Sequence, residues 1–248
     1  YVDMTDSVDS GEFDRDEYLL PVGKFFTGVS ILDEATGGIN DGDLVYIVGR
    51  PQDGKTTFLL HLIARWFWEG KTVLVVSNEI PWRDMLFKID SILAGIPVSE
   101  RRSGKFTEES KLKLKLLQYL AKRLPNKIIV PKHPVRTSIE IQSLMRLYKP
   151  DIVCIDGAYL MSNNPAPEAL GDWKELAAVS RDLKQTANTL ETPIIGVVQA
   201  NRGAAETDKV AGNNIAGSDA FFQDPDIVLS VRQVEATTTG LEKSVKIS

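Results

Sequence analysis

The sequence predicts a doubly wound α/β fold, with a mostly parallel sheet and helices on both of its faces. Short apolar β-type runs alternate with helical patterns along the chain, as they do in right-handed βαβ units. The runs are almost continuously apolar, which is typical of parallel strands covered on both faces. These runs are residues 44–48, 72–77, 128–130, 152–155, 194–198 and 227–231.

Composition narrows the possible classes of protein. The chain has 248 residues, of which 43% are hydrophobic and 25% charged, as expected for one large globular domain. It has neither an apolar run of roughly 18 residues nor a secretory leader, so we expect a soluble, intracellular protein. A single cysteine, Cys154, and two histidines, His61 and His133, exclude a disulfide framework and a multi-cysteine zinc site.

The first 25 residues are predicted to form an acidic linker or arm. Residues 1–18 contain seven acids and one base, whereas the formal net charge of the whole chain is −5, so the remainder is close to neutral. The first residue is Tyr1, and the apolar residues Leu19 and Leu20 follow the acidic stretch. We therefore expect a longer protein with a further domain upstream, and a single domain over residues 26–248.

The first strand leads directly into a phosphate-binding loop. Residues 49–56 match the pattern G-x-x-x-x-G-K-[ST], and they have the required context between a strand and a helix. Backbone N–H groups of such a loop and the N-terminus of the helix bind phosphate. Lys55 is predicted to contact the β and γ phosphates, and Thr56 to bind Mg²⁺. The predicted nucleotide-binding residues are Gly49, Arg50, Pro51, Gln52, Asp53, Gly54, Lys55, Thr56 and Thr57.

Two helices can be predicted between the strands. Residues 56–69 are apolar on nearly all sides and precede Gly70, which indicates a buried helix that ends at a glycine. Residues 107–123 begin with a capping threonine and two glutamates, and they place Leu112, Leu116 and Leu120 on one face. The lysines at 111, 113 and 115 are expected on the solvent side of this helix.

Polar side chains follow three of the later strands, where ligands of doubly wound sheets bind. Asp156 ends the run 152–155 and is predicted to bind Mg²⁺ beside the loop. Glu79 follows the run 72–77 and could polarise an attacking water, although either acid could instead be a turn or cap residue. Gln199 ends the run 194–198 and could sense the γ-phosphate, or be a polar residue paired with backbone.

These motifs together resemble the C-terminal ATPase domain of the DnaB-family replicative helicases of bacteria and phages. The likeness spans residues 26–232 and lies in six ordered blocks. Besides the loop, residues 77–81 (SNEIP) are similar to S-L-E-M-P, residues 155–161 (IDGAYLM) to I-D-Y-L-Q-L-M, and residues 199–202 (QANR) to Q-L-N-R. Thr27-Gly28 with Gly37-Gly38, and residues 217–226 (GSDAFFQDPD), complete the set.

The resemblance implies a RecA-like P-loop fold, with Glu79 as the water-activating base, Asp156 on the metal, and Gln199 as the γ-phosphate sensor. It also implies ATP and Mg²⁺ as cofactors, a homohexamer with active sites between subunits, and a primase or a loader as a partner. Residues 201–218 would face a central channel that holds single-stranded DNA. The predicted DNA contacts there are Arg202, Lys209, Asn213, Asn214 and Gly217. Residues 162–172 form a second channel candidate.

The C-terminal residues contain two candidates for a basic side chain that would reach the active site of a neighbouring subunit, and the sequence does not distinguish between them. In the family a hairpin near this position carries basic residues that reach the neighbour's γ-phosphate, and here residues 233–248 offer Lys243 and Lys246 as candidate fingers. The resemblance favours an ATP-driven motor that moves on single-stranded DNA and unwinds duplex DNA during replication. Two alternatives are a RecA-type DNA-dependent ATPase that processes DNA without unwinding it, and an assembly module that only binds nucleotide.

Overall fold

The computed structural model describes residues 23–163, 173–199 and 224–232. The chain forms two compact units, which divide between Asn40 and Asp41. In the first unit, the segments before and after helix α1 (Ser30–Thr36) are joined by an antiparallel bridge between Phe25 and Ile39. The Asp33 carboxylate accepts hydrogen bonds from the backbone and hydroxyl of Thr27 at 2.7 and 2.8 Å, which fixes the turn before this helix.

The second unit is built on a parallel sheet. Its strands in the described residues are β1 (Leu44–Gly49), β2 (Val73–Ser77), β3 (Ile128–Ile129), β4 (Ile152–Asp156), β5 (Ile194–Gln199) and β6 (Ile227–Ser230). Their order across the sheet is β3-β2-β4-β5-β1-β6, and every pairing is parallel. The predicted fold class and all six predicted strands are confirmed, and the observed ends differ from the predicted ones by one residue at most.

Helices connect these strands. They are α2 (Lys55–Trp68), α3 (Trp82–Ala94), α4 (Val98–Ser103), α5 (Glu108–Ala121), α6 (Ser138–Tyr148) and α7 (Trp173–Leu190), with a 3₁₀ turn at Ala158–Leu160. Every residue of β1, β2 and β4 is buried, because helices pack on both faces of the sheet. No helix in the described ranges is both long and apolar enough to cross a lipid bilayer.

Helix α2 has a solvent face that the sequence analysis did not predict. The helix begins at Lys55, one residue earlier than predicted, and Gly70 just beyond it has a φ of 86°, as expected for a glycine stop. His61, Arg65 and Trp68 are exposed. Because these positions are spaced by four and three residues, they form one stripe along the helix. The prediction of a helix buried nearly all round is therefore wrong for this stripe.

Helix α5 also packs through a different face from the predicted one. Thr107 caps its N-terminus, since the Thr107 hydroxyl accepts a hydrogen bond from the Ser110 N–H at 3.1 Å. Leu112 and Leu116, however, are 68% and 55% exposed, whereas Ser110 and Leu117 are buried. Positions 110 and 117 lie on one face, and position 112 is roughly half a turn away from it. The leucine spacing indicated a helix correctly, but it did not identify the packed face.

Candidate active site

The phosphate-binding loop closes on itself between β1 and α2. The Arg50 N–H donates a hydrogen bond to the Asp53 carboxylate at 2.8 Å, and the Asp53 N–H donates to the Arg50 carbonyl at 3.2 Å. Gln52 and Gly54 have left-handed φ values of 72° and 94°. These turns bring the chain directly to the first turn of α2, where free N–H groups and the helix dipole favour an anion.

Gly49 is required by the space around it. A Cβ at this position would lie 2.4 Å from the Val231 carbonyl oxygen and 3.2 Å from Cγ of Lys55. The end of β6 therefore presses against the start of the loop, and no side chain can be placed between them. The contact explains the first glycine of the motif by close packing, since Gly49 is not among the residues with positive φ.

Lys55 places a positive charge inside the loop. Its side chain is only 8% exposed, and its Nζ donates a hydrogen bond to the Arg50 carbonyl at 2.6 Å. Burial lowers the pKa of Lys55, and the carboxylates of Glu79, Asp53 and Asp156 oppose that shift. The ammonium group is thus partly desolvated and surrounded by acids, which is a suitable setting for binding the phosphates of a nucleotide.

Asp156 lies at the end of β4 and is fully buried. Its Oδ1 accepts a hydrogen bond from the Thr56 hydroxyl at 3.0 Å, which joins β4 to the first turn of α2. Its Oδ2 is buried and has no hydrogen-bond partner among the described residues. Burial raises the pKa of Asp156 to about 6, although the Thr56 hydrogen bond and the charges of Lys88 and Lys55 act in the opposite direction.

The hydroxyl oxygen of Thr56 and the Oδ2 of Asp156 are suitable ligands for a magnesium ion that binds together with a nucleotide. Mg²⁺ prefers hard oxygen ligands and is usually held by one or two protein groups together with substrate phosphates. The Thr56 hydroxyl and the unpartnered Oδ2 of Asp156 provide such groups. Within the described ranges, no cluster of three or more His, Cys, Asp or Glu side chains could hold a metal by itself.

Glu79 approaches the same edge from β2. It lies two residues beyond the end of this strand, and its side chain is exposed. A Cβ on Gly157, whose φ is +86°, would lie 3.3 Å from the Glu79 nitrogen and 3.4 Å from the Glu79 Cβ. Glu79 therefore rests against the turn that follows Asp156. Its charge acts on the pKa of both Asp156 and Lys55, in each case upward.

Gln199 is the last residue of β5 and stands opposite Gly49 in the parallel ladder. It is partly buried at the same edge of the sheet. The structure thus brings the ends of β2, β4 and β5 to the phosphate-binding loop, as the strand pattern predicts. The remaining candidates lie outside the described residues: Arg202, Lys209, Asn213, Asn214, Gly217, Lys243 and Lys246.

Three features of this edge were not predicted from the sequence. Asn78 is buried and bonded to the loop before α6 through both of its amide atoms. Gly157 provides the space beside Glu79, and Tyr159 is close enough for Glu79 and Asp156 to raise its pKa, after burial, which is the larger cause. An amide directly after a continuous apolar strand was the available signal for Asn78, because such a group must find partners.

The parallel sheet, the closed loop and the acids at neighbouring strand ends define a P-loop nucleotide-binding domain with a RecA-like fold. A model of the DnaB-like helicase C terminal domain family matches residues 25–247. The replicative DNA helicase DnaB of Helicobacter pylori (strain ATCC 700392 / 26695) is 30% identical over 210 residues, which cover 82% of this chain and 42% of that protein. DnaB of Haemophilus influenzae is 27% identical over 227 residues, or 87% of this chain and 47% of the relative.

The chain belongs to the DnaB-like helicase C-terminal domain family. Solved structures support the fold. One, described as an ATPase domain, has a TM-score of 0.79 at 21% identity and covers 93% of this chain and 84% of its own. Another, a DnaB-like replicative helicase studied for its interactions with primase, has a TM-score of 0.74 at 21% identity and covers 93% and 56%. The chain spans less than half the length of the curated relatives that it matches.

Proposed function

We propose that this chain is the ATP-hydrolysing motor domain of a ring-shaped helicase, which moves along single-stranded DNA and unwinds duplex DNA in replication. The observation that carries the proposal is the meeting of Lys55, Thr56, Asp156 and Glu79 at one edge of the sheet. A domain that only binds nucleotide needs the loop and its lysine. The two acids at neighbouring strand ends are the additional groups that hydrolysis needs.

The chemistry assigned to the site is in-line attack of water on the γ-phosphorus of ATP. A P–O bond forms to the water oxygen and the bond to the leaving ADP oxygen breaks. Glu79 orients the water and accepts its proton. Lys55 balances the negative charge on the β and γ phosphates, and the backbone N–H groups of Gly54, Lys55 and Thr56 orient them. Gln199, beside the loop, hydrogen-bonds the γ-phosphate and responds to its release.

Magnesium, when bound with ATP, would neutralise charge on the transferred phosphate. Thr56 and Asp156 are the residues that would hold it, because their oxygens lie within hydrogen-bonding distance of each other and one Asp156 oxygen is free of partners in the described chain.

The DNA contacts and the subunit contacts in this proposal rest on family membership. We assign single-stranded DNA to residues 201–218, with phosphate contacts from Arg202, Lys209, Asn213 and Asn214 and a backbone contact at Gly217. The exposure of Glu79 supports an active site that a second subunit completes, with Lys243 or Lys246 as the trans-acting charge. The same membership supports our proposal of a homohexamer in the bacterial cytoplasm, with a primase or a loader as a further partner.

Strand displacement of a forked duplex tests this function. A fork with a fluorophore and a quencher on its two strands should be separated by the full chain with ATP and Mg²⁺, and should stay closed with a non-hydrolysable ATP analogue. Lys111→Ala is a matched control for Lys55→Ala, since Lys111 is exposed on α5 and pairs only with Glu108 in the described chain. Lys55→Ala should abolish unwinding, and Lys111→Ala should leave it unchanged.

Two other outcomes have a defined meaning. DNA-stimulated ATP hydrolysis without strand displacement would favour the RecA-type ATPase that processes DNA without unwinding it. Tight nucleotide binding with no hydrolysis, in the presence or absence of DNA, would contradict the motor assignment altogether.

A further inference from the structure

Asn78 stands between the last residue of β2 and the proposed catalytic base, Glu79. It is 9% exposed, and both of its side-chain polar atoms bond to one residue. Its Nδ2 donates to the Val135 carbonyl at 2.8 Å, and its Oδ1 accepts from the Val135 N–H at 3.0 Å. The Asn78 backbone N–H donates to the Asp156 carbonyl at 2.9 Å. A single buried residue thus ties β2 to β4 and to the loop before α6.

Val135, which makes both of these side-chain hydrogen bonds, is held in place by its surroundings. It is 6% exposed and belongs to the hydrophobic core. The carbonyl of the next residue, Arg136, accepts a hydrogen bond from the Ser162 N–H at 2.8 Å. Thr137 then begins α6 with a complete capping box to Glu140. Because Val135 is packed in the core and the chain directly after it is held by these hydrogen bonds, the Asn78 amide cannot shift without breaking its own hydrogen bonds.

The position of Glu79 depends on this attachment. In the described residues no hydrogen bond holds the Glu79 carboxylate, so its backbone determines where it lies. The Ser77 hydroxyl, which donates to the Ile80 carbonyl at 2.6 Å, closes the turn from the other side. Glu79 therefore lies in a short turn that is fixed by hydrogen bonds at both ends. Asn78 connects this turn to Val135 and to the end of β4.

We propose that Asn78 is a positioning residue, which holds Glu79 in line with the bound nucleotide through its two hydrogen bonds to Val135. The inference rests on the proposed role of Glu79 in ATP hydrolysis. It predicts a selective effect on turnover: loss of the amide lets Glu79 move, while the loop that binds the nucleotide keeps its own hydrogen bonds. A misplacement of about 1 Å can cost on the order of a hundredfold in rate.

The test compares Asn78→Ala with Asn126→Ala in the full chain. Asn126 is a matched control, because it is 4% exposed and its Nδ2 donates to the Phe67 carbonyl at 2.7 Å. It precedes β3 and so lies at the opposite edge of the parallel sheet. Phosphate release gives kcat per folded molecule, and the fluorescence of a labelled ATP analogue gives the Kd. Thermal unfolding reports the fraction folded.

Both variants should unfold at lower temperature than the unmodified chain, since each leaves buried polar groups unpaired. Asn78→Ala should lower kcat by about tenfold to a hundredfold with the Kd within about threefold. Asn126→Ala should leave kcat per folded molecule unchanged. Asn78→Ser, which keeps one neutral hydrogen-bonding group and perturbs the fold less, should have an intermediate kcat, and it substitutes for Asn78→Ala if that variant does not fold.

An unchanged kcat in both Asn78 variants would overturn the proposal, and so would equal losses of kcat in Asn78→Ala and Asn126→Ala. Glu79→Gln, measured alongside, separates this failure from a failure of the proposed function. If Glu79→Gln abolishes hydrolysis and Asn78→Ala does not affect it, only the positioning role is wrong. If Glu79→Gln hydrolyses ATP normally, the role of Glu79 itself is wrong, and the positioning role is wrong with it.

Discussion

Asp156 is buried at the site with one of its oxygens unpartnered in the described chain. Burying a carboxylate without a full set of partners costs free energy, which is why the pKa of Asp156 rises to about 6. A divalent cation at Oδ2 would reverse this cost by favouring the ionised form. The Asp156 carboxylate is thus poorly stabilised in the absence of a bound cation.

Without nucleotide or metal, Asp156→Asn should stabilise the chain at neutral pH. Because the pKa is raised on folding, the protonated acid favours the folded state below about pH 4, and that contribution is lost as the pH rises through about 6. Asparagine is neutral throughout. Thermal unfolding in a chelator should therefore show a gain for Asp156→Asn that grows between pH 4 and pH 6 and then levels off, worth on the order of 3 kcal/mol at most. The same gain at pH 4 and pH 7 would contradict this explanation.

Loss of the Glu79 carboxylate should slow the hydrolysis step and leave the affinity for ATP unchanged. Glu79→Gln keeps the size of the side chain and removes the group that accepts a proton, so kcat should fall by on the order of a hundredfold or more. The Kd for a fluorescent ATP analogue should stay within about threefold. Glu69→Gln is the matched control, because Glu69 pairs with Arg65 on the solvent face of α2. Equal kcat values for the two variants would rule out Glu79 as the base.

Among the elements, β1 and β5 are joined by a close contact between the ring of Tyr46 and the backbone of Gly196. A Cβ on Gly196 would lie 2.7 Å from Cε1 and 2.9 Å from Cδ1 of Tyr46. The Tyr46 hydroxyl lies 3.1 Å from that of Ser180 on α7, and it donates a hydrogen bond to it. The ring thus contacts the next strand at Gly196, and its hydroxyl joins the sheet to a helix.

Gly196→Ala should destabilise the fold by about 1–3 kcal/mol, because the added methyl overpacks the core against this ring. Urea unfolding would measure the loss. In a Tyr46→Leu background the same substitution should cost less, since the ring atoms that it strikes are gone. An equal cost in the two backgrounds would show that the effect does not come from the contact with Tyr46.

Strands could be predicted from the sequence because most of them, such as β2 and β4, are runs of buried and mainly β-branched or aliphatic residues. The site followed from them, since Lys55, Asp156, Glu79 and Gln199 stand at or just beyond strand ends. The packed face of α5 could not be predicted. It buries Leu117 and exposes Leu112, which depends on where α3 lies and is not encoded by the spacing of leucines. Asn78 was missed for a similar reason, because its partner is 57 residues away.

At the scale of the whole molecule, the described residues contribute one part of the proposed hydrolysis site. The loop, the proposed metal ligands and the proposed base all come from this chain, and the Glu79 side chain is exposed to solvent. The acidic arm at residues 1–25, the domain over 26–248, the DNA contacts and the trans-acting lysines stay predictions. The arm rests on the acidic composition of residues 1–18, and the DNA contacts and trans-acting lysines rest on family membership. The chain spans less than half the length of the curated relatives that it matches.

We propose above all that the carboxyl edge of this sheet hydrolyses ATP to drive movement on DNA. The most direct test is steady-state phosphate release from ATP and Mg²⁺, with and without an oligo-dT strand, by the full chain and by Lys55→Ala. The chain should release phosphate, the DNA should raise the rate severalfold, and Lys55→Ala should reduce both rates to background. Equal phosphate release by the chain and by Lys55→Ala, or no release by the chain with DNA present, would contradict the claim.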